Sequence, residues 1–292
     1  MAGRKILSFL RPYIMIGPAM TGIIVFVIYP MIYLIYLSLY KYNLMNKSKS
    51  VFIGLDNYIQ IFSRGDFYKA LSNTAVYTVG VVALTMLISL LIAVWLSKRT
   101  WFNSFVQASI FTPHIISIVS VSLVWLWLME PNIGFLNFIF KSLGLPPSQW
   151  LQSSQTALLS IIIVSVWQNI GYFTLIIVAA LQGLPASILE AAELDNANKF
   201  QVLTRITLPL ISPQLFFILI IMTIGSFKVF DTVRIMTAGG PNDATTTLVY
   251  YIFGFRTTNI GYASATGVVL MVIIALLTLL YFRLLSRKVH YQ

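Results

Sequence analysis

The chain contains no cysteine and very little charge. Of its 292 residues, 9% are charged and 58% are hydrophobic, whereas about a quarter of an ordinary soluble domain is charged. The absence of cysteine excludes disulfides, thiolate metal sites and thiol redox motifs in this chain. The shortage of charge leaves too little polar surface to cover a water-facing globule, so the sequence predicts a protein that folds in a lipid bilayer.

The hydrophobic residues form long continuous runs, and the mean hydropathy is +0.86. Backbone polar groups in lipid must be satisfied by helices or closed barrels, and continuous runs favour helices over alternating strands. We therefore predict an all-α polytopic membrane protein that forms a single domain over residues 1–292. Six segments reach the length of about 20 residues that a span needs. They are 13–40, 70–97, 104–129, 155–181, 208–231 and 262–285.

The first of these segments is longer than the apolar core of a signal peptide and has no small-residue cleavage site, so we expect it to be retained. The net charge of +11 comes from basic residues that are scattered between the spans, which argues against nucleic-acid binding.

Dense basic clusters stand at span ends, at 98–99 and 286–288. By the positive-inside rule they predict that both termini are cytoplasmic, and that residues 182–207 form a cytoplasmic loop.

The loop at 182–207 contains the polar stretch EAAELDNANKF. It holds three carboxylates within six residues, Glu190, Glu193 and Asp195. Pro185 suits the start of a helix, and Asn196 suits a left-handed turn before a second short helix. Such a half-apolar, half-acidic helix–turn–helix fits a groove on a partner protein. The alternative is an interfacial helix resting on lipid headgroups, although such helices usually carry a basic polar face.

The same loop carries a family resemblance. The pattern Glu190-Ala191-Ala192, a turn residue at Asn196 and then Ile206-x-Leu208-Pro209 resembles the EAA loop of bacterial ABC importer permeases. EAAELDNA followed by ITLPLISP is similar to the carbohydrate-uptake branch of that family. Further matching blocks lie at 17–20, 54–58, 112–137 and 230–253, so the resemblance covers nearly the whole chain. One departure is Asn196, where the family usually has glycine.

The resemblance implies a permease subunit in a bacterial inner membrane, coupled to a cytoplasmic ATPase through this loop. The implied partners are a second permease subunit, two ATP-binding subunits and an extracytoplasmic solute-binding protein, with a carbohydrate as the substrate. ATP and Mg²⁺ would be used by the ATPase, and this chain would bind no cofactor. The implied coupling residues are Glu190, Ala191, Ala192, Asp195, Asn196, Ile206, Leu208 and Pro209.

Several motifs are missing from the sequence. No GxxxxGK[ST] phosphate loop occurs, so we expect a transport subunit without an ATPase site of its own. No carboxylate lies deep in a predicted span, which argues against the alternative of an ion-coupled secondary transporter. His114 is interpreted as a packing residue rather than a proton relay. No nucleophile–base or paired-carboxylate arrangement within the spans suggests an intramembrane enzyme, and a membrane scaffold remains a further alternative.

The fourth predicted span offers groups that could bind a sugar. Ser165, Gln168, Asn169 and Tyr172 share one helical face, and Trp167 stands beside it. The fifth span adds Thr223, Ser226 and Phe227. Aromatic rings and neutral polar groups suit a carbohydrate, but polar residues within spans also commonly hold helices together. Because Lys228 and Arg234 are predicted at the outer edge, the sequence favours a neutral sugar, an oligosaccharide, over glycerol phosphate.

Overall fold

The computed structural model describes Tyr13 and residues 15–42 and 50–285. It is almost entirely helical, which confirms the predicted fold class. One two-stranded antiparallel pair joins β1 (Tyr40–Lys41) to β2 (Val51–Phe52). The helices are α1 (Met15–Ser38), α2 (Asp56–Phe62), α3 (Gly65–Leu96), α4 (Trp101–Ile115), α5 (Ile118–Leu128), α6 (Phe135–Ser142), α7 (Ala157–Gln182), α8 (Ala186–Leu194), α9 (Lys199–Leu210), α10 (Ser212–Phe227), α11 (Asp231–Met236), α12 (Leu248–Gly254) and α13 (Ile260–Leu285).

Within the described ranges, four helices are long and apolar enough to cross a membrane, namely α1, α3, α7 and α13. Two further pairs qualify when each bent pair is counted as one span: α4 with α5, and α9 with α10. The predicted number of six spans is reached on that count. The basic positions at 286–288 lie outside the described residues.

The segment 104–129, predicted as one span, is not one continuous helix. The structure breaks it into α4 and α5, whose axes are bent by 95°. Pro113 lies inside α4 and cannot donate a backbone hydrogen bond, which weakens the helix just before the break. Ile116 and Ser117 are then extended, with ψ of 142° and 131°.

The segment 208–231 also differs from the predicted single span. The second helix of the loop continues through a π-helical turn, Val202–Thr207, as far as Leu210. The chain then bends by 68° before α10, which has Pro213 in its first turn. Since α10 ends at Phe227, residues 228–230 lie beyond the helix.

The described chain divides into two compact units. The first consists of the described residues up to Arg64 together with Ile252–Val272. Its strand pair is held by Asn57, a 1% exposed residue of α2. The Asn57 amide donates to the carbonyls of Ser38 at 2.8 Å and Tyr40 at 3.1 Å, so α2 is fixed to the end of α1.

The second unit consists of Gly65–Tyr251 and the described residues from Ile273 onwards. Its core lies where α3, α7 and α10 meet, around Ile177 and Ile218, which are both fully buried. Hydroxyl groups of α3 also face α7. Tyr77 donates to the Ser165 hydroxyl at 2.8 Å, and Ser89 donates to the Ile170 carbonyl at 3.0 Å. Such interhelical hydrogen bonds join membrane helices, and small residues such as Ser89 and Ser165 also let the helices approach closely.

Candidate functional site

The turn between α8 and α9 has a defined helix-capping geometry. Asn196 adopts φ of 53°, the left-handed conformation that the sequence predicts. Its amide donates to the Glu193 carbonyl at 3.0 Å, and the Ala197 amide donates to the Ala192 carbonyl at 3.0 Å. These two bonds form a Schellman motif with asparagine in the position that glycine usually occupies.

The start of α9 is fixed by a capping box. The Asn198 side chain accepts from the Gln201 amide at 2.9 Å, and the Gln201 side chain accepts from the Asn198 amide at 2.9 Å. Two backbone donors at this helix end, the amides of Asn198 and Gln201, are therefore satisfied. The loop thus consists of two rigid helices joined by a fixed turn.

The predicted coupling residues divide between an outer and an inner surface of this loop. Glu190, Ala191, Asp195 and Asn196 are exposed, whereas Ala192 is 5% exposed and Ile206, Leu208 and Pro209 are half-buried. Leu208 packs against the core cluster of the second unit. Two large apolar side chains point outward beside the carboxylates: Leu194 is 84% exposed and Phe200 is 73% exposed. The coupling role of these residues stays a prediction.

A cavity of about 370 Å³ opens among α3, α4, α7 and α10. All four polar residues of the predicted face of α7 line it: Ser165, Gln168, Asn169 and Tyr172. The Gln168 amide makes a long hydrogen bond of 3.5 Å to the Ile116 carbonyl at the break between α4 and α5. The Asn169 amide donates to the Ser165 carbonyl of its own helix at 2.8 Å. This hydrogen bond of Asn169 therefore does not join one helix to another.

One wall of this cavity is aromatic. The His114 ring stacks on the Tyr172 ring, with a centroid distance of 4.4 Å and an interplanar angle of 9°. Stacked rings beside neutral amides and hydroxyls offer both the flat faces and the hydrogen-bonding groups that a polyhydroxyl ligand needs. Among the residues that the structure describes, no three His, Asp or Glu side chains come together as metal ligands.

Gly171 sets how closely α7 approaches α4 beside the cavity. A Cβ atom at this position would lie 1.8 Å from the Ile110 carbonyl oxygen and 2.8 Å from the Phe111 Cα. Real Cβ atoms do not come this close to backbone atoms. The absence of a side chain at Gly171 therefore allows the backbone of α4 to pack directly on α7.

The other predicted substrate-path residues are placed differently. Ser226 lines the cavity, but Trp167, Thr223 and Phe227 do not. Trp167 packs edge-on against Trp125, with ring centroids 5.4 Å apart. The Thr223 hydroxyl donates to the Leu219 carbonyl at 2.8 Å, and Phe227 is 6% exposed. The substrate-path role of all these residues stays a prediction.

Among the lining residues that the sequence analysis did not assign to the substrate path are His114, Lys228 and Asp231. Lys228 was expected at the outer edge, but α10 ends one residue before it and the chain turns there. Asp231 then starts α11, where a carboxylate is favoured by the helix dipole. An aspartate suited to a helix start, a few residues after the apolar run, was the available signal for this turn.

Comparisons with known proteins agree with this fold. Residues 85–291 match the family described as "Binding-protein-dependent transport system inner membrane component". The chain is 30% identical to the sn-glycerol-3-phosphate transport system permease protein UgpA of Agrobacterium fabrum, over 96% of each chain. It is also 30% identical to the trehalose/maltose transport system permease protein MalF of Thermococcus litoralis, over 93% of this chain and 92% of the relative.

Among solved structures, a chain of a bacterial alginate ABC transporter in complex with a pentasaccharide-bound periplasmic protein has the same fold. The TM-score is 0.84 at 23% identity, over 97% of this chain and 96% of that chain. The family match and the two relatives together cover both the loop and the cavity. The chain therefore belongs to the family of binding-protein-dependent transport system inner membrane components.

Proposed function

We propose that this chain is a permease subunit of an ATP-driven ABC importer for a neutral carbohydrate, an oligosaccharide, in a bacterial inner membrane. The observation that carries the proposal is the family membership, together with a cavity lined by stacked rings and neutral polar groups. The chain forms half of the pathway and pairs with a second, similar permease. Two cytoplasmic ATPase subunits use ATP and Mg²⁺, and an extracytoplasmic binding protein delivers the solute.

The coupling element in this proposal is the α8–α9 loop, with both termini on the same cytoplasmic side. Its exposed surface combines the carboxylate of Glu190 with the apolar side chains of Leu194 and Phe200. An exposed apolar patch rimmed by charge is typical of a protein interface. It is less suited to anionic lipid headgroups, which would repel the carboxylates.

The choice of a neutral sugar is supported by the charges of the cavity. Lys228 and Asp231 both line it, and their opposite charges balance. Glycerol phosphate would require a net positive site, whereas a neutral sugar can hydrogen-bond to an ammonium and a carboxylate together. The names of the two relatives include both solute classes, so the proposal of a neutral sugar is supported by the cavity charges and not by those names.

Competition for uptake tests the solute class. In cells that carry the complete transporter, we expect unlabelled neutral oligosaccharides such as maltose or trehalose to reduce uptake of a labelled sugar, and glycerol phosphate to have no effect. A strain with the gene deleted is the control. Competition by glycerol phosphate alone would contradict the neutral-sugar assignment.

The energy source separates the ABC importer from an ion-coupled transporter and from a scaffold. We expect uptake to stop on ATP depletion and to persist when a proton uncoupler is added while ATP is maintained. Family membership supports the importer and gives no support to the ion-coupled alternative. Uptake that follows the proton gradient rather than ATP would overturn the proposal, and no solute accumulation at all would indicate a scaffold.

Asn169→Ala is expected to lower uptake by about fivefold, because losing one hydrogen bond to the solute costs about 1 kcal/mol. Complex assembly should be unchanged, since the Asn169 amide bonds only within α7 among the recorded contacts. Uptake kinetics and co-purification of the complex measure the two effects. Gln168→Ala is the comparison variant, because Gln168 also reaches α4. Loss of assembly in Asn169→Ala would assign the residue to helix packing.

A further inference from the structure

A second cavity, of about 480 Å³, lies beside the α8–α9 loop. It is lined by residues at the ends of α3 and α7 and by residues of α8 and α9. Much of the lining is aliphatic, including Leu181, Leu184, Val202 and Leu203. Three charged side chains also line it: Lys98, Lys199 and Glu193. The cavity therefore combines an apolar interior with a net positive charge.

The backbone of Lys98 is held in a fixed position. It lies two residues after Leu96, the last residue of α3, where helical carbonyls have no partner within the helix. The carbonyls of residues 96, 97 and 98 instead accept side-chain amides, from Gln107 at 3.0 Å, Gln182 at 3.0 Å and Asn103 at 2.8 Å. These hydrogen bonds connect this end of α3 to both α4 and α7. The backbone from which the Lys98 side chain extends is therefore held in place.

Lys199 is positioned in a comparable way. It is the first residue of α9, directly after Asn198, and the Asn198–Gln201 capping box fixes the backbone there. Within the described ranges, the recorded hydrogen bonds and ion pairs include none made by either ammonium group of Lys98 or Lys199. The side chains of Lys98 and Lys199, whose backbones are both held in place, therefore line one cavity. Their ammonium groups are available to a ligand.

The position of the cavity along the helices limits what can occupy it. α3 and α7 are two of the helices long enough to cross the membrane, and the cavity is at the ends of both. Because the ends of membrane-spanning helices lie where the hydrocarbon core gives way to lipid headgroups, we infer that the cavity lies near that boundary. An occupant that matches an aliphatic interior, a cationic edge and this depth is an amphiphile with an anionic head.

We propose that this cavity is a binding site for one anionic phospholipid. The lipid phosphate pairs with Lys98 and Lys199, and part of an acyl chain lies against the leucine and valine side chains. The proposal concerns a surface separate from Glu190 and from the cavity lined by Gln168. It does not depend on which solute the protein carries.

The test uses the complete transporter, purified in mild detergent after reconstitution into phosphatidylcholine vesicles with and without phosphatidylglycerol. Native mass spectrometry then measures the phosphatidylglycerol that stays bound. We expect Lys98→Gln and Lys199→Gln each to weaken its retention by about fivefold, the effect of about 1 kcal/mol for one basic residue near anionic lipid. Lys141→Gln is the matched control, because Lys141 is an exposed lysine of α6 away from the cavity.

Two further variants separate charge from shape. The double variant Lys98→Arg with Lys199→Arg keeps both charges and should keep the lipid. Glu193→Gln removes the opposing carboxylate and should raise phosphatidylglycerol retention. The proposal is wrong if retention in the two glutamine variants equals that in the control, or if phosphatidylcholine is retained equally well. It is also wrong if Glu193→Gln loses the lipid, since the carboxylate would then contribute to binding rather than oppose the lipid phosphate.

Discussion

Reversing the charge of Glu190 is expected to abolish uptake while leaving the chain in the membrane. Glu190 is exposed on α8, so its replacement by lysine removes no buried contact within the chain. In the proposed complex its carboxylate pairs with a basic group of the ATPase. Truncating one partner of such a pair at an interface costs about 2–5 kcal/mol, and reversal adds repulsion, so we expect uptake to fall by about 30-fold or more.

Uptake assays and co-purification of the ATPase measure this effect together. Asp56→Lys is the matched control, because Asp56 is also an exposed acidic residue on a helix but lies outside the loop. It should leave uptake nearly unchanged. Glu190→Gln, which keeps the shape without the charge, should give an intermediate loss. Normal uptake by Glu190→Lys would show that α8 does not couple the chain to the ATPase.

Gly171→Ala is expected to be strongly destabilising. The added Cβ would lie 1.8 Å from the Ile110 carbonyl oxygen, and a backbone atom cannot move aside as the end of a side chain can. Relief requires that α4 and α7 separate, which disturbs the cavity between them. Overpacking of this kind costs about 1–3 kcal/mol and occasionally more, and we expect a value at or above the top of that range.

The unfolding temperature of the purified protein in detergent measures this loss, together with the yield of monodisperse protein. Gly225→Ala is the matched control, since it is the same change within α10 at a position with no heavy atom within 4 Å of the added Cβ. It should be neutral or slightly stabilising. Equal unfolding temperatures for the two variants would mean that the close approach of α4 and α7 is not required.

The sequence predicts the number and approximate limits of the spans because hydrophobic length is a local property. The prediction of α7 as residues 155–181 differs from the structure by one or two residues at each end. The turn at Asn196 is equally local, since few non-glycine residues tolerate the left-handed conformation. Family resemblance then supplies the role of the loop, which composition alone leaves open between a protein partner and lipid.

The bends and the composition of the cavity could not be predicted in the same way. Hydropathy does not distinguish one straight helix from two helices whose axes are bent by 95°. The presence of Pro113 does not determine the angle of the bend either. Lys228 and Asp231 reach the cavity only because the chain turns after Phe227. The pairing of Gly171 with the Ile110 carbonyl depends on which helices become neighbours, and that is a property of the whole fold.

The break at residues 116–117 has a mechanical consequence. α4 packs mainly on α7, whereas α5 packs mainly on α11 and contacts α7 through Trp125 and Trp167, so the two halves of this bent pair have different main neighbours. Bending a continuous helix would break several backbone hydrogen bonds, but here the extended residues Ile116 and Ser117 already interrupt the ladder. A change of angle at this wall of the cavity would therefore break few backbone hydrogen bonds, and the contacts that oppose it are the long bond from Gln168 and the packing of Trp125 on Trp167.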